Sequence, residues 1–252
     1  MLNWTTRLRA AGIHLGVSAT VAAVSALLVF WLWYPWPYRE ISSGRELFFI
    51  VMAVDVVLGP LLTFAVFDVR KSWRHLRIDL GIIAVLQLAG LSYGLWTVFI
   101  VRPVHLVFEY SMFRVVHASE VPAELLPKAL PALRAYPVLG PTALSLRPFT
   151  SPGEQFDLTM AAMQGSVLSA QPQLWQPYEA AKFEILSKAK TMPTLYARFG
   201  AQKALIDEAV RSSNKTAEGL VWLPLVGRKS FWTVLLDAQS AQPVGYVPLD
   251  SF

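Results

Sequence analysis

Apolar residues fall in three long runs, all within the first 101 positions, and the remainder of the chain alternates in short stretches. No Asp, Glu, Lys or Arg occurs between Arg9 and Arg39. Leu47 to Phe67 is interrupted only by Asp55, and Leu80 to Val101 by no charge at all. Each run can supply the roughly 20 apolar residues that a helix needs to cross a hydrocarbon core of about 30 Å. The pattern predicts spans over about residues 11–34, 47–67 and 80–101, followed by a small soluble α+β domain over 102–252. The first run is too long for the apolar core of a signal peptide, and Trp31-Leu32-Trp33-Tyr34-Pro35 offers no small-residue cleavage site. It is therefore expected to be a retained span.

Within the spans, small residues recur at helical spacing. Gly12, Gly16, Ala19, Ala23 and Ala26 share one face of the first, and Ala84, Gln87, Gly90 and Gly94 one face of the third. Such faces let backbones approach closely, either to pack the three helices together or to receive a foreign helix. Trp31, Trp33, Tyr34, Trp36 and Tyr38 cluster with Pro35 and Pro37 where the first span ends, as an interfacial aromatic belt would.

The second span holds the unusual chemistry. Asp55, Gly59 and Thr63 recur every four residues, and Pro60 cannot donate a hydrogen bond to Val56, which predicts a kink. Counted from Leu47, Asp55 lies about 12 Å into the helix. A carboxylate at that depth costs a few kcal/mol or more unless paired, hydrogen-bonded or protonated. Gln87, Ser92, Tyr93 and Thr63 are the expected internal partners, and His14 is expected to lie too near its end of the first span to reach. Three readings of Asp55 stand open: a structural hydrogen bond, a docking point for a partner helix, and catalysis or proton transport. An aspartyl intramembrane protease needs two facing carboxyls, and only one lies at depth.

Charge orients the chain. Arg7 and Arg9 precede the first span, and Arg70, Lys71, Arg74 and Arg77 oppose two aspartates in the second loop. The loop Arg39 to Glu46 sums to zero, and residues 102–252 carry 14 basic against 12 acidic groups. The basic excess thus predicts a cytoplasmic N-terminus and residues 102–252 on the far side. Topology accounts for the net +5, so nucleic acid is not an expected partner. The sequence has no cysteine, which excludes disulfides, thiolate metal sites and thiol nucleophiles.

Taken together, the membrane motifs resemble one family. The run Asp55-Val-Val-Leu-Gly-Pro-Leu-Leu-Thr-Phe-Ala-Val-Phe67 is similar to the hallmark of type IV pilin accessory proteins, the TfpX/TfpZ group of Gram-negative bacteria. Leu76 to Trp96 looks like their second motif, and His14-Leu-Gly and Trp33-Tyr-Pro35 also fit. The likeness is strong over about the first 110 residues. It implies a bacterial inner-membrane protein with a periplasmic domain that acts beside one major pilin, helping it persist, assemble or be recycled. The pilus assembly platform is a further partner to be expected. Pilins enter that membrane as one long helix with an acidic residue and an outer globular head. From the residues themselves, a groove near Asp55, Gly59, Pro60, Thr63 and Gln87 is the expected seat of the pilin helix; no catalytic residue carries over from the family, and no cofactor is expected. The alternative is a membrane-anchored periplasmic sensor or regulator without catalytic activity, although its cytoplasmic segments of about ten residues leave no output domain.

In the C-terminal region, Val104 to Val116 reads as a hairpin turning near Tyr110-Ser111. The prolines of Val121 to Pro148 admit only short helical pieces. Helices are expected over Pro177 to Lys190 and Phe199 to Ser212, the latter with Ala204, Leu205, Ala209 and Val210 on one face and an Asp207–Arg211 pair. Leu220 to Val226 and Phe231 to Leu236 read as a second hairpin with Arg228 and Lys229 at a solvated tip, and Gly245 to Val247 as an edge strand. There is no His-Glu-x-x-His spacing, no Gly-x-Ser-x-Gly elbow and no Gly-rich phosphate loop. His105 and His117 are expected to be strand residues, not metal ligands.

Overall fold

The computed structural model describes residues 4–252 and divides the chain into two compact units. One comprises the residues through Arg39 and Ser43–Val101, the other Glu40–Ser42 and Arg102–Phe252.

The first unit is three helices long and apolar enough to cross a membrane: α1 (Trp4–Trp33), α2 (Gly44–Val66) and α3 (Trp73–Ile100). Each starts before its charge-free run does. Arginine is a good helix former and extends its head to the headgroup layer, so Arg7, Arg9, Arg45, Arg74 and Arg77 lengthen the helices rather than end them. The Ser72 hydroxyl caps α3 by accepting the His75 N–H. Both α1 and α3 pack on α2, while their own backbones stay apart and meet through side chains. Val29, Tyr34, Phe48, Met52 and Val98 form the core at one end of this unit.

The face that α1 packs inward is not the small-residue stripe. Ser18, Ser25 and Val29 are buried and His14 and Ala22 half-buried, whereas Gly12, Gly16, Ala19 and Ala23 look outward. A Cβ added at Gly12 or Gly16 would meet no atom within 4 Å. On α3, Gly94 is closed against Val51, but Ala84 and Gly90 are exposed. The small residues therefore do not pack the three helices together as a set.

The second unit is built on an eight-stranded sheet. Its strands are β1 (Pro103–Glu109), β2 (Met112–His117), β3 (Thr142–Leu146), β4 (Trp175–Pro177), β5 (Lys190–Thr191), β6 (Leu220–Val226), β7 (Phe231–Asp237) and β8 (Pro243–Val247). The order is β4-β3-β1-β2-β6-β7-β8, with β1–β3 and β2–β6 parallel and the other pairs antiparallel. β2 takes one end of the β6 edge (Phe113 opposite Leu225) and β5 the other (Lys190 opposite Trp222). Two cores lie on this sheet. Val107, Val116, Leu144, Leu146 and Trp175 fill one. Met192, Leu195, Ile206, Trp222, Leu235 and Val247 fill the other, under the helices Met192–Arg198 and Lys203–Ser212.

Both predicted hairpins and the last strand are present. The first turns at Tyr110, whose φ of 59° is the left-handed value such a tight turn requires. His105 lies in β1 and His117 in β2. The helix Lys203–Ser212 presents a different face from the expected one: Ile206 and Ala209 are buried while Leu205 is exposed. Asp207 accepts the Tyr196 hydroxyl, and Arg211 pairs with Glu208 instead. The region Pro177–Lys190 is helical only in short pieces, Tyr178–Ala181 and Lys182–Lys188. The helix Pro152–Met163 and strands β3 to β5 extend the expected set.

The tip of the β6–β7 hairpin is not simply solvated. Arg228 N–H donates to the Ile41 carbonyl (3.2 Å), and Ile41 is fully buried. A Cβ at Gly227 would lie 2.5 Å from Ile41 Cγ2.

Candidate partner-binding site in the membrane unit

Pro60 sets the geometry of this site. Residues Val54–Leu58 of α2 are π-helical, with hydrogen bonds five residues apart, so the expected irregularity takes the form of a wide turn just ahead of the proline. Continued one step, that pattern would have Pro60 donate to the Asp55 carbonyl, and proline has no N–H. In a bilayer an unpaired carbonyl costs several kcal/mol. The amide of Gln87, from α3, supplies the missing donor: its Nε2 lies 3.0 Å from the Asp55 carbonyl oxygen. Gly59 makes room for it, since an added Cβ would stand 2.0 Å from Gln87 Nε2.

The other end of the Gln87 amide is also engaged. Oε1 can only accept, so His14 Nε2–H donates to it at 2.6 Å. His14 Nδ1 stands 2.5 Å from Thr63 Oγ1, and Thr63 is almost fully enclosed. With the imidazole neutral, the Thr63 hydroxyl donates to Nδ1, and hydrogen bonds then run in one direction from Thr63 through His14 and Gln87 to Asp55. They tie α1, α2 and α3 together at one level.

His14 thus reaches the site, contrary to the sequence expectation. The helix is already formed at Trp4, so His14 is ten residues further along it, about 15 Å. The signal was available: His14, Ser18 and Ser25 share one helical face, and that polar face is the one α1 buries. Ser92 and Tyr93, considered as partners for Asp55, are exposed on α3.

A second clamp joins the same helices nearer Arg39. Tyr34 is fully buried rather than part of an interfacial belt, and its hydroxyl donates to the Val98 carbonyl at 3.0 Å. Its ring occupies the place a side chain at Gly44 would need. Trp31 and Trp36 remain exposed, as a belt requires.

Asp55 is half-buried and its side chain borders two grooves. One, of about 300 Å³, runs between α2 and α3 beside Val51, Gly90 and Gly94. The other, of about 220 Å³, opens between α1 and α3 beside His14, Ser18, Ala84 and Gln87. Of the predicted positions, the structure brings Asp55, Gly59, Thr63 and Gln87 together and uses Pro60 to create the bond Gln87 fills. Gly59 and Thr63 are enclosed by the chain's own side chains, whereas Asp55, half-buried beside Gln87, borders the grooves. Among the described residues no group of three or more His, Asp or Glu could hold a metal ion.

Comparison with known proteins gives this arrangement a context. Two proteins of Dichelobacter nodosus, described as fimbrial assembly protein, serogroup I and serogroup E1, are 35% and 33% identical to the chain over 228 residues. In each case the match covers 90% of this chain and 89% of the relative. The chain belongs to the FimB family of fimbrial assembly proteins. A third relative, for serogroups C1 and C2, is 39% identical over 118 residues, 47% of this chain and 90% of its own length. The model of the FimB fimbrial assembly protein family matches residues 2–43. In this FimB-family chain that segment contains His14, Tyr34 and Ile41, the residues by which α1 and the loop after it are tied to α2, α3 and the sheet. No solved structure matches the chain.

Proposed function

We propose that this protein is a non-enzymatic accessory factor of type IV pilus biogenesis, a pilin-specific chaperone or assembly modulator of the bacterial inner membrane. Its N-terminus is cytoplasmic, its residues 102–252 are periplasmic, and it holds the major pilin before or during assembly, with the assembly platform as a second contact. The observation that carries this reading is the hydrogen-bonded cluster at Asp55, with a carboxyl bordering two grooves inside a three-helix membrane unit. A half-buried carboxyl at such depth is costly unless something is meant to meet it. Family membership supports the pilus setting, and the Lys/Arg bias of the N-terminus and second loop supports the orientation.

In this reading Asp55 is the contact residue, and Gly59, Pro60, Thr63 and Gln87 hold it in place. Asp55 and a pilin carboxyl would repel if both were ionised, and both His14 nitrogens are already bonded to Thr63 and Gln87, so the two carboxyls meet with one of them protonated. Interhelical hydrogen bonds in a bilayer contribute about 1 kcal/mol each, which suits transient holding.

The test is capture of the tagged protein from its host in mild detergent, with blotting for the major pilin. Stoichiometric pilin that is lost in Asp55→Ala supports the proposal. An intact bait without pilin overturns it.

A further inference from the structure

We infer that the cleft between α1 and α3, floored by α2, is the seat of a fourth transmembrane helix, donated by a partner and bearing a hydrogen-bonding side chain near Asp55. The inference rests on the proposed accessory role and specifies how the partner is held.

The cleft is longer than one groove. The space beside Asp55 meets another of about 380 Å³ that reaches Ala10, Phe67 and Leu80, and the two share His14 and Ala84. From Leu80 to Leu91 along α3 the wall extends about 16 Å, or three helical turns. It exists because α1 and α3 both pack on α2 while their own backbones stay apart and meet only through side chains.

Within the hydrocarbon layer only two things can fill such a space. One is lipid acyl chain. The other is a helix, because any other protein segment would leave backbone groups unpaired. The lining favours the helix. Asp55 borders the cleft with a carboxyl that an acyl chain cannot hydrogen-bond, while His14 and Gln87 beside it are already bonded to each other. Ala10, Ser18 and Ala84 keep the walls low, so that a helix backbone can come close. The groove between α2 and α3 is a weaker host, since Val51 already packs onto Gly94 there.

The occupant is thus a single apolar helix with a hydroxyl, amide or protonated carboxyl at the level of Asp55. The small-residue stripe of α1 is not the seat, because helical geometry turns it about a third of a turn from the packed face and away from the cleft.

A photo-crosslinking residue introduced singly into the full-length protein in its host tests this. Val17 and Leu88 line the cleft, while Ala19 and Ile82 face outward elsewhere. The expected result is a pilin adduct from positions 17 and 88 and none from 19 and 82. Pilin that co-purifies but crosslinks from 19 or 82, or from no position, overturns the cleft assignment and leaves the accessory role standing. If pilin is absent from the eluate the accessory role fails. The cleft assignment then survives only if mass spectrometry finds the helix of another single-span protein at 17 and 88, and adducts to phospholipid alone overturn it.

Discussion

Replacing Gln87 with leucine should be the most informative single change in the membrane unit. Leucine keeps the apolar bulk beside Gly59 but removes both hydrogen bonds of the amide, the one donated to the Asp55 carbonyl at 3.0 Å and the one accepted from His14 at 2.6 Å. Interhelical hydrogen bonds in a bilayer are worth about 0.6 kcal/mol on average and up to about 1.7. Two of them give an expected loss of about 1–3 kcal/mol. The Asp55 carbonyl should put the value in the upper half, because Pro60 offers it no substitute donor. Reversible unfolding in mixed micelles, driven by rising SDS fraction, measures the difference. A double-mutant cycle with His14→Leu then isolates the His14–Gln87 bond, with an expected coupling of about 1 kcal/mol. Strict additivity, within the roughly 0.3–0.5 kcal/mol found for independent sites, would refute the continuous chain from Thr63 to Asp55.

Pro60→Ala restores a backbone donor at the one place α2 lacks it, so Gln87→Leu should cost about 1 kcal/mol less in that background than in the native one, by the same micelle titration. Burial at β1 pushes the His105 imidazole down to about 4. Its folded value lies below its unfolded one, so stability is full above pH 6.5, falls between about 6.5 and 4 and levels off below, by about 3 kcal/mol in all. Urea unfolding of the detergent-solubilised protein, followed by tryptophan fluorescence to which Trp175, its ring centroid 4.8 Å from His105, contributes, should show that slope, and His105→Gln should lack it. Gly227→Val drives a side chain into Ile41 and the Ser230 carbonyl, so it should release the loop Glu40–Ser42 and speed tryptic cleavage after Arg39. An unchanged cleavage rate would mean the hairpin tip does not hold that loop.

Where the chain's first layer of information is charge, the sequence is a good guide. A run without charge is long enough to span or it is not, and all three spans were found with their order and the following α+β domain. Faces are harder, because helical arithmetic gives the angle between residues but not which neighbour fills it. Gly12, Gly16, Ala19 and Ala23 do share a face, yet the inward face of α1 is the one with His14, Ser18 and Ser25, since polar groups in hydrocarbon gain more from burial than small ones do. The same limit applies in the soluble unit. Ser151-Pro152-Gly153-Glu154 carries a helix start, and Ser151 does accept the Glu154 N–H. But Phe156, Met160 and Met163 all face outward on the helix that follows, so its apolar period points away from the core. Strands β3 and β4 are five and three residues long and owe their place to partners distant in sequence.

At the site itself, Asp55, Gly59 and Thr63 were legible as a stripe because the period is four and two of the residue types are conspicuous in an apolar helix. What the stripe meets was not legible, because each member faces a different helix or space. Thr63 turns to α1, Gly59 to α3 and Asp55 to the grooves. The π turn shifts Asp55 out of line with Gly59 and Thr63, which stay one regular α-helical turn apart. A sequence motif in which a proline follows a polar residue by five places, inside a span, should therefore be searched for a side-chain amide on a neighbouring helix. The carbonyl that the proline leaves unpaired must be met by some donor.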